Sequence, residues 1–192
     1  MRTVVLVLAA LLALTGCAAS VPSVPAPKVD VNTPQLRALK AKAGIADCVA
    51  TSAGPAKGGL PDVTVPCLGG GPSVNLAGLR GPMVVNLWAQ YCGPCRTEMP
   101  HLQAFAQRYG TKVPVLGVDY LDVQPQLALE FARQAGATYP MVSDIAKNIR
   151  VVGLPTTILI DKDGRIAYQQ GVELKSVAQL KQLVAEHLGI AL

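Results

Sequence analysis

Aromatic side chains make up only 4% of the 192 residues and charged side chains only 15%. The lysines and arginines are scattered rather than gathered on one face, and aromatics do not interleave with them. That excludes the electrostatic footprint of a nucleic-acid binder. The sequence lacks an apolar segment of the ~20 residues a membrane-spanning helix needs, since the run Thr3 to Ala13 is far shorter. The two histidines, His101 and His187, stand at no recognised zinc spacing from any cysteine pair, so no metal is expected. What remains is a chain that is 51% hydrophobic, with 17 Lys and Arg against 12 Asp and Glu for a net charge of +5. The length is enough to bury one core of Val, Leu, Ile and Ala beside a short leader. The modest positive excess reads as surface solubility.

The leader is legible. Arg2 is a positive n-region and Thr3 to Ala13 an apolar h-region, followed by Leu14-Thr15-Gly16-Cys17. This resembles the bacterial lipobox, which implies cleavage before Cys17 and acylation of that residue. Residues 1–16 are then a lipoprotein signal peptide. Residues 17–33, with Pro22, Pro25 and Pro27, form a Pro-rich tether from a lipid anchor in the cell membrane. An ordinary secretory signal cut near Ala18-Ala19-Ser20 is the alternative, and both place the mature chain outside the cytoplasm. There the odd total of 5 cysteines needs an explanation. With Cys17 set aside for lipid, Cys92 and Cys95 form a C-x-x-C pair and Cys48 and Cys67 are left over. In an oxidising compartment the latter two read as a structural disulfide, with a second redox couple or two unpaired thiols as alternatives.

Thr33-Pro34 predicts a helix start and Gly44 its end, so residues 34–59 are an N-terminal helix and loop. The main domain is expected over 60–192. Val63–Val65 and Val74–Leu76 are strand candidates that make a short hairpin across Gly69-Gly70-Gly71-Pro72. Met83 to Trp88 is a near-continuous apolar run, as in a central buried strand. Met99, Leu102, Phe105 and Tyr109 predict a helix after Cys92, kinked at Pro100. Val113–Val118 is a second buried strand, and residues 124–135 a helix with Leu127, Phe131 and Ala135 inward. Met141-Val142 is extended, and Ser143 is expected to cap a brief helix through Ile149. Thr156–Ile160 and Arg165–Gln170 form a hairpin, and Ser176 to Gln179 is a capping box for the last helix. Alternation first and a hairpin last gives an α/β chain with a central mixed sheet and helices on both faces.

Trp88-Ala89-Gln90-Tyr91-Cys92-Gly93-Pro94-Cys95 joins a buried strand to a helix. Cys92 therefore stands at a helix N-terminus, where free N–H groups and the helix dipole favour an anion and lower a thiol's pKa. Cys95 lies one turn on. The pair suits two-step exchange, in which the Cys92 thiolate attacks a disulfide and Cys95 resolves the mixed disulfide.

Four motifs surround it: Val85-Asn86-Leu87-Trp88-Ala89, then Arg96-Thr97-Glu98-Met99-Pro100, Val152-Gly153-Leu154-Pro155-Thr156-Thr157, and Leu159-Ile160-Asp161-Lys162-Asp163-Gly164-Arg165-Ile166. Together these resemble the thioredoxin superfamily, and within it the TlpA/ResA-like extracytoplasmic branch. The resemblance implies a thioredoxin fold with an N-terminal β-hairpin extension and one inserted helix. It implies that Pro155 is the cis-proline packed against the sulfurs, with a trans proline opening a strand as the alternative. Leu154 is then a substrate contact, alongside Trp88, Tyr91, Gly93 and Pro94. Glu98 is implied as proton acceptor for Cys95, or else as a first-turn carboxylate that complements the helix dipole. Where thioredoxin carries a buried aspartate this chain has Asn86, which cannot act as a base. No T-x-x-C loop marks a peroxiredoxin, and no C-x-x-x-C with a downstream histidine marks a copper chaperone.

The expectation is an enzyme with no cofactor beyond the Cys92–Cys95 couple, a protein-disulfide reductase. The resemblance implies protein substrates, apocytochrome c before haem attachment among them, and a membrane thiol donor. The chain is expected to act as a monomer. A disulfide-forming oxidant and a non-catalytic binding lipoprotein are the alternative readings.

Overall fold

The computed structural model describes residues 28–192. The expected signal peptide at 1–16, the lipid-bearing Cys17 and most of the tether lie outside the described residues.

The first helix, α1 (Pro34–Ala43), opens on Thr33, whose Oγ1 accepts the Leu36 N–H at 3.3 Å, and closes on Gly44 at φ 68°. The side-chain cap satisfies an orphan donor, and glycine adopts the left-handed closing residue at least cost. Beyond it, β1 (Thr64–Val65) and β2 (Val74–Asn75) pair antiparallel. Leu76 leaves the expected strand because Asn75 Oδ1 caps Gly78 at 3.2 Å and starts a 3-10 turn at Leu76–Gly78.

The main domain follows as β3 (Met83–Trp88), α2 (Gly93–Tyr109), β4 (Val115–Tyr120), α3 (Pro125–Gln134), β5 (Met141–Asp144), β6 (Thr156–Ile160), β7 (Ile166–Gln170) and α4 (Val177–Leu188). The five strands lie in the order β5-β4-β3-β6-β7. The first three are parallel neighbours, and β6 and β7 pair antiparallel. All six residues of β3 are buried, which is why its sequence runs apolar instead of alternating. Asn86 stands mid-strand, in register with Gly117 on one side and Thr157 on the other. The sheet is thus mixed, and two of its parallel connections run through helices, as parallel pairs require.

Side chains of all four α-helices fall in one core cluster with Val84, Trp88 and Leu159. The opposite face, through Val85, Leu87, Val118 and Ile158, is covered by the hairpin, by the 3-10 turn through Leu76, and by Ile149 of the loop after β5. Helical cover on that second face is therefore the single 3-10 turn among the described residues.

Four further local expectations are corrected. Val113 is not in β4: its N–H closes α2 on Tyr109 O at 2.8 Å, and Pro114 offers no N–H to a ladder. Leu127 is 51% exposed, and α3 instead buries Ala128, Leu129, Phe131 and Ala132. The small Ala128 and Ala132 are fully buried in the core that α3 shares with its close neighbour α1. Ser143 caps no helix but continues β5, its N–H bonded to Pro66 O at 2.9 Å. In α4, Ser176 Oγ caps the Gln179 N–H at 3.1 Å, while Gln179 Oε1 accepts from Lys175 N rather than from Ser176. The α2 helix runs unbroken through Pro100, whose side is exposed. The Gly81–Pro82 bond is cis.

The N-terminal arm protects the β5 edge, which would otherwise present unpaired backbone. Leu68 N–H and Ser143 N–H make cross-bonds to Met141 O and Pro66 O at 2.9 Å, and Cys67 bridges to Val142. A disulfide fixes this arm, joining Cys48 to Cys67 with Cα atoms 5.9 Å apart. Its wall includes buried Lys40, whose Nζ donates to Gly70 O at 2.6 Å and to Asp47 at 2.7 Å, 3.4 Å from Cys67 Sγ.

Candidate active site

The turn between β3 and α2 is held from both ends. Gln90 N–H donates to Asp122 Oδ2 at 3.0 Å, and Gln90 O accepts from Arg96 Nη2 at 2.7 Å. The Arg96 guanidinium lies 4.7 Å over the Phe131 ring. Cys92 N–H closes the turn on Ala89 O at 3.0 Å. This delivers Cys92 to the N-cap of α2, where its Sγ accepts the Cys95 backbone N–H at 3.2 Å. The two cysteines are disulfide-bonded, with Cα atoms 5.3 Å apart. Cys92 keeps 7% of its surface exposed and Cys95 1%, so an incoming sulfur meets Cys92 first.

Gly93 and Pro94 are exposed beside it, and Tyr91 is 58% exposed with its hydroxyl donating to Tyr120 O at 3.4 Å. The Leu154–Pro155 bond is cis, and Leu154 lines the same groove as Cys92. The fold thus gathers Tyr91, Cys92, Pro94 and Leu154, from segments sixty residues apart, at one opening. Trp88 does not join them. Its side chain is fully buried, edge-on to Phe131 at 5.4 Å, because it points into the helix-side core, so the expectation that it touches substrate is corrected. The Cys48–Cys67 bridge belongs to the arm on β5.

Glu98 lies beyond the first turn of α2 and is buried. Its Oε1 accepts from Asn86 Nδ2 at 2.5 Å and its Oε2 from the Leu174 N–H at 2.6 Å. Asn86 therefore acts as the clamp of a carboxyl group supplied by α2. Burial raises the Glu98 pKa from 4.5 to about 7, against the opposing pull of those two donors. A carboxyl titrating near neutrality both takes and returns protons readily.

That shift sets a stability prediction. Between the unfolded carboxyl value and about 7, the folded chain holds a proton that the unfolded chain has released. Stability contributed by this proton is present below that window and is lost as pH rises through it, by on the order of 2–3 kcal/mol. Urea unfolding at pH 5 and pH 8 is expected to show the fall, and Glu98→Gln to flatten it.

Two further carboxyls near the turn carry little signal in the sequence. Asp122 is buried with both oxygens used, on Gln90 N and Gln124 N. The spacing Asp122-x-Gln124-Pro125, an Asx turn ahead of a helix-opening proline, was its available signal. Asp119, on β4 opposite Trp88, is fully buried, and burial first and the Asp122 charge second push its carboxyl well up. The same two carboxyls, after burial, raise the Tyr91 phenol.

Among the described residues no helix is long and apolar enough to cross a membrane, and no cluster of three or more His, Cys, Asp or Glu could hold a metal.

Comparison with known proteins gives the family and the fold. A sequence model of the AhpC/TSA family matches residues 58–169. The chain is 32% identical over 109 residues to the thiol-disulfide oxidoreductase ResA of Bacillus thuringiensis, across 52% of this chain and 60% of that protein. It is 32% identical over 127 residues to the protein of the same name from Halalkalibacterium halodurans, across 62% of this chain and 67% of that one. The crystal structure of a DsbF homologue from Corynebacterium diphtheriae superposes with a TM-score of 0.57 at 28% identity, covering 69% of this chain and 85% of that one. The chain thus spans 60% of the length of the Bacillus thuringiensis relative. With a mixed five-stranded sheet, an N-terminal hairpin and a Cys-Gly-Pro-Cys helix start, the chain has the thioredoxin-like fold and belongs to the AhpC/TSA family, as a relative of the ResA proteins.

Proposed function

We propose that this chain is an extracytoplasmic thiol–disulfide oxidoreductase that reduces disulfides in protein substrates. The observation that carries the reading is Cys92 as N-cap, its sulfur on the Cys95 N–H and lining the groove, 7% exposed against 1% for Cys95. Once the pair is reduced, that N–H and the helix dipole favour the Cys92 thiolate. The thiolate attacks one sulfur of a substrate disulfide, forming a Cys92–substrate bond, and the other substrate sulfur leaves as a thiolate. Cys95 gives its proton to Glu98 and attacks Cys92 Sγ. The mixed disulfide breaks, the Cys92–Cys95 bond re-forms, and two electrons have passed to the substrate. A donor dithiol at the membrane restores them by the same exchange in reverse.

Tyr91, Gly93, Pro94 and Leu154 hold the substrate, with Pro155 setting the backbone beside the sulfurs. The leader sequence supports a lipid anchor at Cys17, which keeps the protein near that donor, and apocytochrome c is one fitting substrate. The names of the relatives support the reaction class.

The test is equilibration of the full chain with glutathione redox buffers. A potential near the thioredoxin end of the scale, about −270 mV, is expected of a reductase. A value near about −120 mV would instead make the protein an oxidant.

A further inference from the structure

Leu121, just past β4, and Lys147, in the loop after β5, play no part in the exchange steps, yet both line the groove that opens on Cys92. Among the described residues they are the two non-glycine positions with positive φ, at 55° and 59°. A side chain in that conformation costs about 1–2 kcal/mol and persists only where its surroundings over-determine it, as at ligand clamps. Here one residue does so. Leu121 N–H and Lys147 N–H both converge on the Asp144 carbonyl, at 3.1 and 3.5 Å. The buried Asp144 carboxylate accepts from Asn148 N, Asn148 Nδ2 and Ile149 N at 2.7–3.0 Å, which pins the loop.

The strain presents a particular surface. Leu121 is 41% exposed, Tyr91 58% and Val152 fully, and all three border a groove of about 340 Å³ with Cys92 and Leu154. Exposed apolar side chains concentrated at one opening mark a binding surface. Lys147 is exposed at the rim and makes no ion pair among the described residues. The groove is an apolar wall with one cationic post, continuous with the sulfur proposed to react.

We infer that this groove is a specificity subsite for an extended polypeptide whose reacting cysteine is flanked by a large apolar side chain and an acidic one. The apolar side chain lies against Leu121 and Val152, and the acidic one meets Lys147. This rests on the reading of Cys92 as the attacking sulfur, but selects among substrates of that reaction. Asp144 is a positioning residue, and Lys147 sets the charge preference.

The experiment uses the reduced full chain and two disulfide peptides, identical except for Asp or Lys two residues from the cysteine beside a leucine. An acidic-over-basic preference of about fivefold in kcat/KM is expected, the size of one partly exposed ion pair. Lys147→Met should abolish the preference and Lys147→Glu should invert it. Equal rates for the two peptides with the wild-type chain, or an acidic preference kept by Lys147→Glu, would overturn the subsite. Wild-type turnover of neutral hydroxyethyl disulfide is read in parallel. Failure there strikes the proposed reaction, whereas turnover there with indifferent peptides strikes only the subsite.

Discussion

Cys95→Ser is expected to stop turnover at a covalent adduct between Cys92 and the substrate, while Cys92→Ser forms no adduct at all. The asymmetry follows from position. Cys92 holds the N-cap place on the groove wall, and its sulfur already accepts a backbone N–H at 3.2 Å. Cys95 is 1% exposed and faces the core behind it. Removing the nucleophile leaves the buried thiol with no route to an external disulfide, so the rate should drop by about 10³-fold or more. Removing the resolving thiol leaves the first step intact and takes away the second. Non-reducing gels with mass spectrometry of the band read both outcomes. Adducts on Cys95 in the Cys92→Ser chain would reverse the assigned order.

The second large effect is on stability. Replacing Cys48 and Cys67 with serine opens a cross-link spanning a sequence separation of 19 residues. On the chain-entropy account this costs about 3 kcal/mol, a large share of the ~5–15 kcal/mol that holds a domain together. For a domain of this size the melting temperature should fall by about 6–12 °C. The site amplifies the effect, since the arm covers the β5 edge through the Cys67–Val142 bridge and seats buried Lys40. The Cys92–Cys95 pair closes a far shorter loop and does not anchor the arm, so its loss should move the melt by only about half as much. Calorimetry of the two double-serine variants separates the roles. Equal shifts would mean that the arm's bridge is not the structural one.

The sequence told most where one local rule acts alone. Thr33, Pro34 and Gly44 mark both ends of α1 without help from the rest of the chain. The unbroken apolar run of β3 reports burial on both faces. Local pattern misleads where a distant partner decides. Ser143 looks like a helix cap, but Pro66 from the N-terminal arm claims its N–H for a sheet bond. In α3, Leu127 and Phe131 fit one helical stripe, yet the face buried in the core shared with α1 carries the small Ala128 and Ala132, leaving Leu127 in solvent. The candidate site divides the same way. The cysteine pair and its helix start are local and legible. The clamp on Glu98 is assembled from Asn86 on β3 and the backbone of Leu174 before α4, and no spacing in the chain announces it. Asp144 hides likewise, because its carbonyl gathers Leu121 from another strand end.

Everything proposed for the reaction depends on the Cys92 sulfur ionising readily once the pair is reduced. The direct measurement is the pH dependence of iodoacetamide alkylation of the reduced full chain, with each modified cysteine identified by mass spectrometry. Cys92 should react first, with an apparent pKa well below the ~8.5 of a free cysteine. A Cys92 that titrates at or above that value, or that reacts no faster than Cys95, would contradict the account.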